Sequence, residues 1–359
     1  MKLDNLHYSL NKMLSYNKAF NFVISAREAG KSTAIWLFAY KKFLKGETTL
    51  VIRRLLADIT ETYIDDISKV INKFIDKPIK LWYKKGELDD GIVTVSVNYG
   101  DDKHPDLKPF FRVVALSNPM SRIKSLMFPN LRTILFDEFI CNTIMKEKYL
   151  DNEVFRFKEV FNTFQRESEK LTVIFAGNPY SLYNPYFVSF GVPTKELYAG
   201  NIVVGGNWVV EVYQITDELR AAILAKNPLY QFDDAYTKYA FDGRSIRDSQ
   251  IKIVEKCPDN YRLRYVFFIQ GKILGIFRNT STDFRGDYNF FWVGVMNGYN
   301  SERREITCFN FNDLADGTCL ISTEDKRDFN FLKDCFRTRT IIFKSIEENY
   351  MFEAIYNLI

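Results

Sequence analysis

Residues 19–33 read Ala-Phe-Asn-Phe-Val-Ile-Ser-Ala-Arg-Glu-Ala-Gly-Lys-Ser-Thr, and their character changes in the middle. The first seven residues are mostly apolar and include β-branched side chains, which is typical of a buried strand. The next eight form a polar loop around one glycine, and a helical pattern follows through Lys45. The segment therefore predicts a strand, a short loop and a helix in direct succession.

The loop resembles the phosphate-binding pattern GxxxxGK[ST], with Ser25 in place of the first glycine. Such a loop curls its backbone amides around phosphate at a helix N-terminus, and it needs a lysine for the β- and γ-phosphates and a hydroxyl for Mg²⁺. An ordinary strand-to-helix turn is the alternative. We predict a site for ATP and Mg²⁺ with the loop residues Ser25, Ala26, Arg27, Glu28, Ala29, Gly30, Lys31, Ser32 and Thr33.

A second strand that ends in charged residues is Thr133-Ile-Leu-Phe-Asp-Glu138. We predict that Asp137 holds Mg²⁺ through water and that Glu138 orients and deprotonates the attacking water. This pair indicates hydrolysis of ATP rather than phosphoryl transfer to a small acceptor. The competing interpretation is an acidic pair that caps a helix after a core strand.

Other polar residues lie at the ends of predicted strands and allow two interpretations each. Asn178 either senses the γ-phosphate or belongs to an ordinary turn. Arg27 contacts phosphate or a neighbouring subunit, or it pairs with Glu28 at the surface. Arg53 and Arg54 end the second strand, where they are functional or only mark its emergence into solvent.

The order of predicted elements divides the chain into three parts. Residues 1–205 alternate buried strands with helices, which predicts an α/β domain with a sheet covered on both faces. Residues 79–99 read as a hairpin, which we interpret as an insertion. Residues 206–249 read as a helical linker that Pro228 breaks or kinks. Residues 250–359 have short strands and a final helix, which predicts a smaller α+β domain.

The composition excludes several classes of protein. With 359 residues, 47% hydrophobic and 16% aromatic, the chain is a packed globular protein of about two domains. Lys+Arg 49 against Asp+Glu 45 give a net charge of +4, and residues 251–359 hold 15 basic and 15 acidic residues, so no basic tail indicates nucleic acid. Five cysteines without CxxC spacing predict neither a disulfide framework nor a zinc site, and they fit a reducing cytosol. We expect neither secretion nor a membrane span.

Together these motifs resemble those of the large-terminase branch of viral DNA packaging ATPases, and above all the phi29-type phage packaging ATPases. The resemblance is specific over about residues 10–190 and looser afterwards. It rests on Met13-Leu-Ser-Tyr16, Asn21-Phe-Val-Ile24, Arg27, Gly30-Lys-Ser32, Arg53-Arg54, Phe136-Asp-Glu-Phe-Ile140, Arg166 and Asn184-Pro-Tyr-Phe187. The fold it implies is a P-loop NTPase domain of the ASCE class with a mostly parallel sheet, a helical linker and a small RNase H-like domain.

The resemblance also implies roles for individual residues. Arg166 matches the family's arginine finger and Lys124 a second basic residue that acts across a subunit interface, whereas the plain alternative for both is a solvated surface cation. Met13–Tyr16, including Tyr16, would lie near the adenine. Two positions depart from the family pattern, namely Ser25 in the loop and Leu56, which is apolar where relatives can carry a lysine toward DNA.

The function that the resemblance implies is packaging of a phage genome by an ATP-driven double-stranded DNA translocase. Such proteins form a homomeric ring, usually a pentamer, at the portal vertex of an empty capsid. The implied partners are double-stranded DNA, the portal and, as an open alternative, a packaging RNA. We expect the chain in the host cytoplasm, transiently at the procapsid portal vertex and not in the mature virion.

The C-terminal domain is expected to be a nuclease remnant. Its strand-like runs at residues 264–277 contain no acid, and its carboxylates lie in turn-like stretches, at Asp283, Asp287, Asp313, Asp316, Asp325 and Asp328. Two other functions stay open, a terminase with an active nuclease and a nucleotide-gated DNA-binding protein without steady turnover.

Overall fold

The computed structural model describes residues 7–101, 103–142, 147–166, 168, 170–182, 184–227, 251–269, 271–281, 289–298, 306–308, 318–320 and 329–358. The chain divides into two compact units, Met1–Ile246 and Arg247–Ile359. No helix in these described ranges is long and apolar enough to cross a membrane.

The first unit alternates strands and helices through most of its length. Its described strands are β1 Phe20–Ser25, β2 Thr48–Arg53, β3 Lys80–Trp82, β4 Ile92–Asn98, β5 Leu107–Ala115, β6 Leu131–Asp137, β7 Thr172–Gly177, β8 Ile202–Val204 and β9 Trp208–Tyr213. Its described helices are α1 Asn11–Ser15, α2 Lys31–Phe43, α3 Glu61–Asn72, α4 Gly86–Asp90, α5 Met120–Lys124, α6 Glu153–Gln165, α7 Pro185–Phe190 and α8 Asp217–Lys226.

These strands form one sheet in the order β3-β4-β5-β2-β6-β7-β1-β9-β8. The strands from β5 to β9 in that order pair in parallel, whereas β4 and β8 are antiparallel to their neighbours. Successive residues of β1 pack into different apolar clusters, Phe22 into one and Val23 into the other. The sheet is therefore covered on both faces, as the apolar strands predict.

Strand β9 corrects the predicted boundary of the first domain. It pairs with β1, with Trp208 opposite Phe20 and Tyr213 opposite Ser25. Residues 209–212 are buried. A parallel strand that is buried in this way belongs to the sheet of the first domain and is covered on both faces. It is therefore not part of a linker that begins at residue 206. Helix α8 agrees with the predicted helical segment, whereas Pro228 lies outside the described residues.

The hairpin predicted for residues 79–99 is confirmed, and it belongs to the same sheet. Strands β3 and β4 pair antiparallel with Leu81 opposite Val97, and α4 lies in the turn between them. Strand β4 also pairs with β5, so the insertion lengthens the sheet at one edge.

The second unit contains a mixed sheet in the order β14-β13-β10-β11-β12-β15. Strands β10 to β12 are antiparallel, and β13 and β14 continue parallel to β10, which is the RNase H-like arrangement that we predicted, with β15 added beside β12. None of these six strands contains Asp or Glu, and the six carboxylates named above lie outside the described residues. The bounds are β10 Tyr261–Ile269, β11 Lys272–Asn279, β12 Phe291–Val295, β13 Ile306–Cys308, β14 Thr318–Leu320, α9 Asn330–Arg337, β15 Ile341–Phe343 and α10 Ile346–Leu358.

Candidate nucleotide site

The carboxyl edge of the first sheet brings together the two halves of the predicted site. Strand β1 ends at Ser25, where the phosphate loop begins, and β6 ends at Asp137. Between them lies β7, which ends at Gly177, and β2 ends beside β6 at Arg53. Because these strands are parallel, all four ends point to one edge, where crevices of open α/β sheets bind ligands.

Two residues in left-handed conformation shape the phosphate loop. They are Glu28, with φ +61°, and Gly30, with φ +86°, which precedes the first residue of α2. A Cβ on Gly30 would lie 2.6 Å from the Cβ of His7, so this position requires glycine. Ser25 has no positive φ and is 1% exposed, and its hydroxyl donates to the carbonyl of Ala26. The serine therefore replaces the usual glycine without backbone strain.

Lys31 is the first residue of α2, and its ammonium group points to the end of β7. Its Nζ donates to the carbonyl oxygen of Gly177 at 2.9 Å and to Oδ1 of Asn178 at 3.0 Å. Burial lowers the pKa of Lys31 to about 8, and the carboxylates of Asp137 and Glu138 oppose this effect. Asn178 therefore contacts the lysine of the phosphate loop, and its role as a sensor of the γ-phosphate stays a prediction.

Arg53 bridges the two predicted acids. Its Nη1 donates to Oδ2 of Asp137 at 3.2 Å, and its Nη2 donates to Oε2 of Glu138 at 2.9 Å. The side chain of Arg53 is only 11% exposed and lies over the ring of Tyr63. Arg53 therefore belongs to the site and does not merely mark the emergence of β2 into solvent, which neither its position nor its charge could establish from the sequence.

The donors at this edge fit Mg²⁺. Ser32 and Asp137 border the same small, otherwise apolar cavity, so a hydroxyl and a carboxylate lie close together. Both are hard oxygen ligands of the kind that Mg²⁺ binds together with phosphate oxygens and water. Burial raises the pKa of Asp137, and Arg53 opposes this rise. Within the described part of the chain, no cluster of three or more His, Cys, Asp or Glu offers a separate metal site.

The remaining loop residues support this arrangement. Ala26 and Ala29 are buried, and Thr33 lies in the first turn of α2. Arg27 is exposed, and its Nη2 donates to the hydroxyl of Tyr180, just beyond the end of β7. Arg27 therefore lies beside the strand that separates the loop from the acids.

Arg166 lies far from the acids of its own subunit. It directly follows α6, whose first residue, Glu153, contacts the carboxyl edge through Arg54. A helix of 13 residues is about 20 Å long, and the chain next enters β7 from the opposite edge. The exposed Arg166 is thus at the wrong edge to reach its own Glu138.

Lys124 ends α5 and forms an ion pair with Glu159, in the middle of α6. Its side chain is 44% exposed. The pair is therefore accessible to solvent, and such pairs contribute little to the free energy of unfolding. Lys124 therefore packs against α6, the helix that Arg166 follows.

The structure does not bring Tyr16 to the phosphate loop. Tyr16 precedes β1, which spans about 20 Å from the opposite edge of the sheet to Ser25. Another tyrosine, Tyr8, lies beside the loop. Its backbone amide donates to the carbonyl of Ala29 at 2.9 Å, and its hydroxyl donates to Glu211 at 2.8 Å. Sequence analysis missed Tyr8 and Glu211, because only the pairing of β1 with β9 brings them together.

A phosphate loop after one strand, an acid pair after another and an additional strand between the two define a P-loop NTPase of the ASCE class. The chain belongs to the podovirus DNA encapsidation protein (Gp16) family, which it matches over residues 3–350. This membership confirms the resemblance and the predicted function of phage DNA packaging.

Two relatives and two solved structures illustrate the similarity. The chain is 29% identical over 357 residues to the DNA packaging protein of Bacillus phage phi29 and 27% identical over 350 residues to that of Bacillus phage PZA, each time over 92% of this chain and 90% of the relative. Its fold is similar to the bacteriophage Phi-29 viral genome packaging motor assembly, with TM-score 0.64, 23% identity and coverage of 99% and 100% of the two chains. It is also similar to the Phi-28 gp11 DNA packaging motor, with TM-score 0.65, 14% identity and coverage of 99% and 98%.

Proposed function

We propose that this chain hydrolyses ATP with Mg²⁺ and uses the reaction to drive double-stranded DNA into a phage procapsid. The observation that carries the proposal is the pair of acids after β6, held by Arg53 at the edge where Lys31 and the phosphate loop also lie. Only Glu138 of the two keeps a widely exposed side chain, at 60%. It therefore suits the residue that contacts water.

The chemistry follows from the contacts of these side chains. When ATP binds, Lys31 exchanges its hydrogen bonds to Gly177 and Asn178 for bonds to phosphate oxygens. Nucleotide binding therefore changes the contacts at the end of β7. Mg²⁺, held through Ser32 and Asp137, would neutralise charge on the phosphate oxygens. Glu138 accepts a proton from the water that attacks the γ-phosphate, and ADP and phosphate are released.

The position of Arg166 supports action in a ring. An arginine that cannot reach its own nucleotide is useful to a neighbour, where it stabilises the charge that develops on the γ-phosphate. Lys124, against the same helix, would act at that interface too. We propose a homomeric ring with five subunits as the expected number. The ring contacts the portal and DNA, and a packaging RNA is an open additional partner.

The second unit and the location complete the proposal. With no acid on its six described strands, the RNase H-like unit is proposed to hold DNA, RNA or the portal rather than to cut DNA. The ring would assemble from the host cytoplasm at the procapsid portal vertex and leave before the virion matures.

The direct test of the proposed function is steady-state phosphate release by the full chain with Mg²⁺ and ATP, with and without duplex DNA. Many turnovers per subunit, faster with DNA, are expected. A single stoichiometric release would instead identify a nucleotide-gated binding protein.

Negative-stain images with a non-hydrolysable ATP analogue and short duplexes should show closed rings around DNA.

The Lys31→Ala variant is expected to bind ATP about 10- to 100-fold more weakly, because charged hydrogen bonds to phosphate are lost. Titration of the variant with a fluorescent ATP analogue measures the change. Lys42→Ala is the matched control, since Lys42 lies on the same helix and pairs with Glu47 at the surface. Equal affinity of Lys31→Ala and the control would contradict the assignment of the phosphate loop.

DNA binding by the assembled protein is expected to be independent of sequence and strongly dependent on salt. A motor that must pass a whole genome grips phosphates and cannot prefer particular bases. Affinities for several unrelated duplexes, measured by fluorescence anisotropy from low to high salt, should fall steeply and in parallel. Tight binding of one sequence with a flat salt response would rule out the translocase.

A further inference from the structure

The backbone turn that carries Glu138 is held in an unusual conformation. Glu138 has φ +57°, which places a residue with a side chain in the left-handed region, and such residues persist only where their surroundings enforce them. The carbonyl oxygens of Glu138 and Phe139 both accept hydrogen bonds from Arg54, at 3.0 and 2.8 Å. The amide of Phe139 donates to the carbonyl of Ala176 in β7. Arg54 and β7 therefore fix this turn from two sides.

Arg54 is itself fixed by the carboxylate of Glu153, the first residue of α6. The two side chains are buried, and Nε and Nη2 of Arg54 donate to the two oxygens of Glu153 at 2.8 and 3.1 Å. The same carboxylate also accepts from the hydroxyl of Tyr186 and from the amide of Leu150, both at 2.8 Å. The guanidinium group thus has one orientation, which aims its remaining donors at the turn.

Stability alone does not account for this buried pair. Two charges removed from water are seldom better for folding than apolar side chains of similar volume. A planar guanidinium with fixed donors, however, makes all four of these hydrogen bonds to two carbonyls and a carboxylate, whereas a lysine has three donors and an apolar side chain has none. The geometry is that of a support for the turn that bears Glu138.

We propose that Arg54, oriented by Glu153, is a positioning residue that sets the pose of the Glu138 carboxylate toward the attacking water. The inference rests on the proposed function of Glu138. It assigns Arg54 a role distinct from that of its neighbour Arg53. Arg53 donates to the side chains of the two acids, whereas the hydrogen bonds of Arg54 to the turn go to backbone carbonyls.

The test is ATP hydrolysis by the full chain carrying Arg54→Lys, measured with duplex DNA. A small displacement of a catalytic group costs about 10²-fold in rate, so kcat is expected to fall about 10- to 100-fold while KM and the affinity for an ATP analogue stay as in the wild type. The double variant Arg54→Met/Glu153→Gln removes both buried charges and keeps an acceptor for Tyr186 and Leu150, so it is expected to fold and to show the same loss of kcat. In the Glu138→Gln background, Arg54→Lys should change the residual rate by less than about twofold, because both substitutions act through one group.

Arg156→Lys is the matched control. Like Arg54, Arg156 donates to two backbone carbonyls, but these are the carbonyls of Leu116 and Asn118, away from the turn. It should keep the wild-type kcat. Wild-type kcat in Arg54→Lys and in the double variant, with Glu138→Gln inactive, would overturn the inference alone. A parallel loss of ATP affinity and thermal stability in both variants would overturn it too, because that result describes a purely structural residue. Full turnover by Glu138→Gln would reject the proposed function itself.

Discussion

The Glu138→Gln variant is expected to bind ATP with the wild-type affinity and to lose about 10³-fold in its rate of hydrolysis, within the range that a general base contributes. Glutamine keeps the size of the side chain and can still accept from Arg53, but it cannot take a proton from water. The hydrogen bonds of Lys31 go to Gly177 and Asn178, whereas Glu138 accepts from Arg53, so ATP binding should be unaffected. Phosphate release and analogue titration, measured on the same preparation, separate the two effects.

Glu61→Gln is a suitable control for this experiment. Glu61 is an exposed glutamate that pairs with Lys85 at the surface of α3, so its variant should hydrolyse ATP at the wild-type rate. If Glu138→Gln turns over ATP at a similar rate to this control, another group accepts the proton and the assignment of Glu138 is wrong.

The Arg166→Ala variant is expected to bind ATP and DNA nearly normally and to hydrolyse ATP about 10³- to 10⁵-fold more slowly, the contribution of an arginine finger supplied in trans. The physical reason is the position of Arg166 after the end of α6, about 20 Å along the helix from Glu153, which contacts the carboxyl edge through Arg54. Such an arginine makes hydrolysis in one subunit conditional on its neighbour.

Mixed rings provide the decisive form of this experiment. Arg166→Ala and Glu138→Gln subunits should together recover part of the activity, because an Arg166→Ala subunit keeps its own Glu138 and receives the arginine of an adjacent Glu138→Gln subunit. The control mixture pairs Arg166→Ala with a chain carrying both substitutions, and it should stay inactive because no arginine is present. If subunit exchange is verified and no ratio restores hydrolysis, Arg166 acts within its own subunit or is only structural.

The position of strand β9 shows where sequence patterns stop being informative. Residues 208–213 are as apolar as the strands before them, yet they follow a stretch with turn residues and precede a helical segment. Local periodicity describes each segment separately, whereas membership of a sheet depends on a partner about 190 residues earlier in the chain. The predicted linker therefore began too early.

The same limit separates the two halves of the site. Lys31 and Glu138 were predicted because a glycine-rich turn before a helix and an acid pair after a buried strand have local signatures. The role of Arg53 and the support by Arg54 have none, since both depend on contacts with residues more than 80 positions away. The distance of Tyr16 from the phosphate loop also depends on the tertiary structure, because it follows from the direction of β1 and not from proximity in sequence. The place of Met13–Tyr16 near the adenine stays a prediction.

By itself, the sequence determined the class of fold, the phosphate loop, the acid pair and the family of phage DNA packaging proteins. Each of these has a signature in a short segment, and the chemistry of that segment does not depend on distant partners. Only the tertiary structure decided that β9 completes the first sheet, that Arg53 joins Asp137 to Glu138, that Arg54 and Glu153 hold the Glu138 turn, and that Arg166 follows the end of α6 remote from Glu153. The physical reason is that parallel pairing brings together the ends of strands that are far apart in the chain, and the contacts made there follow from the order and direction of those strands.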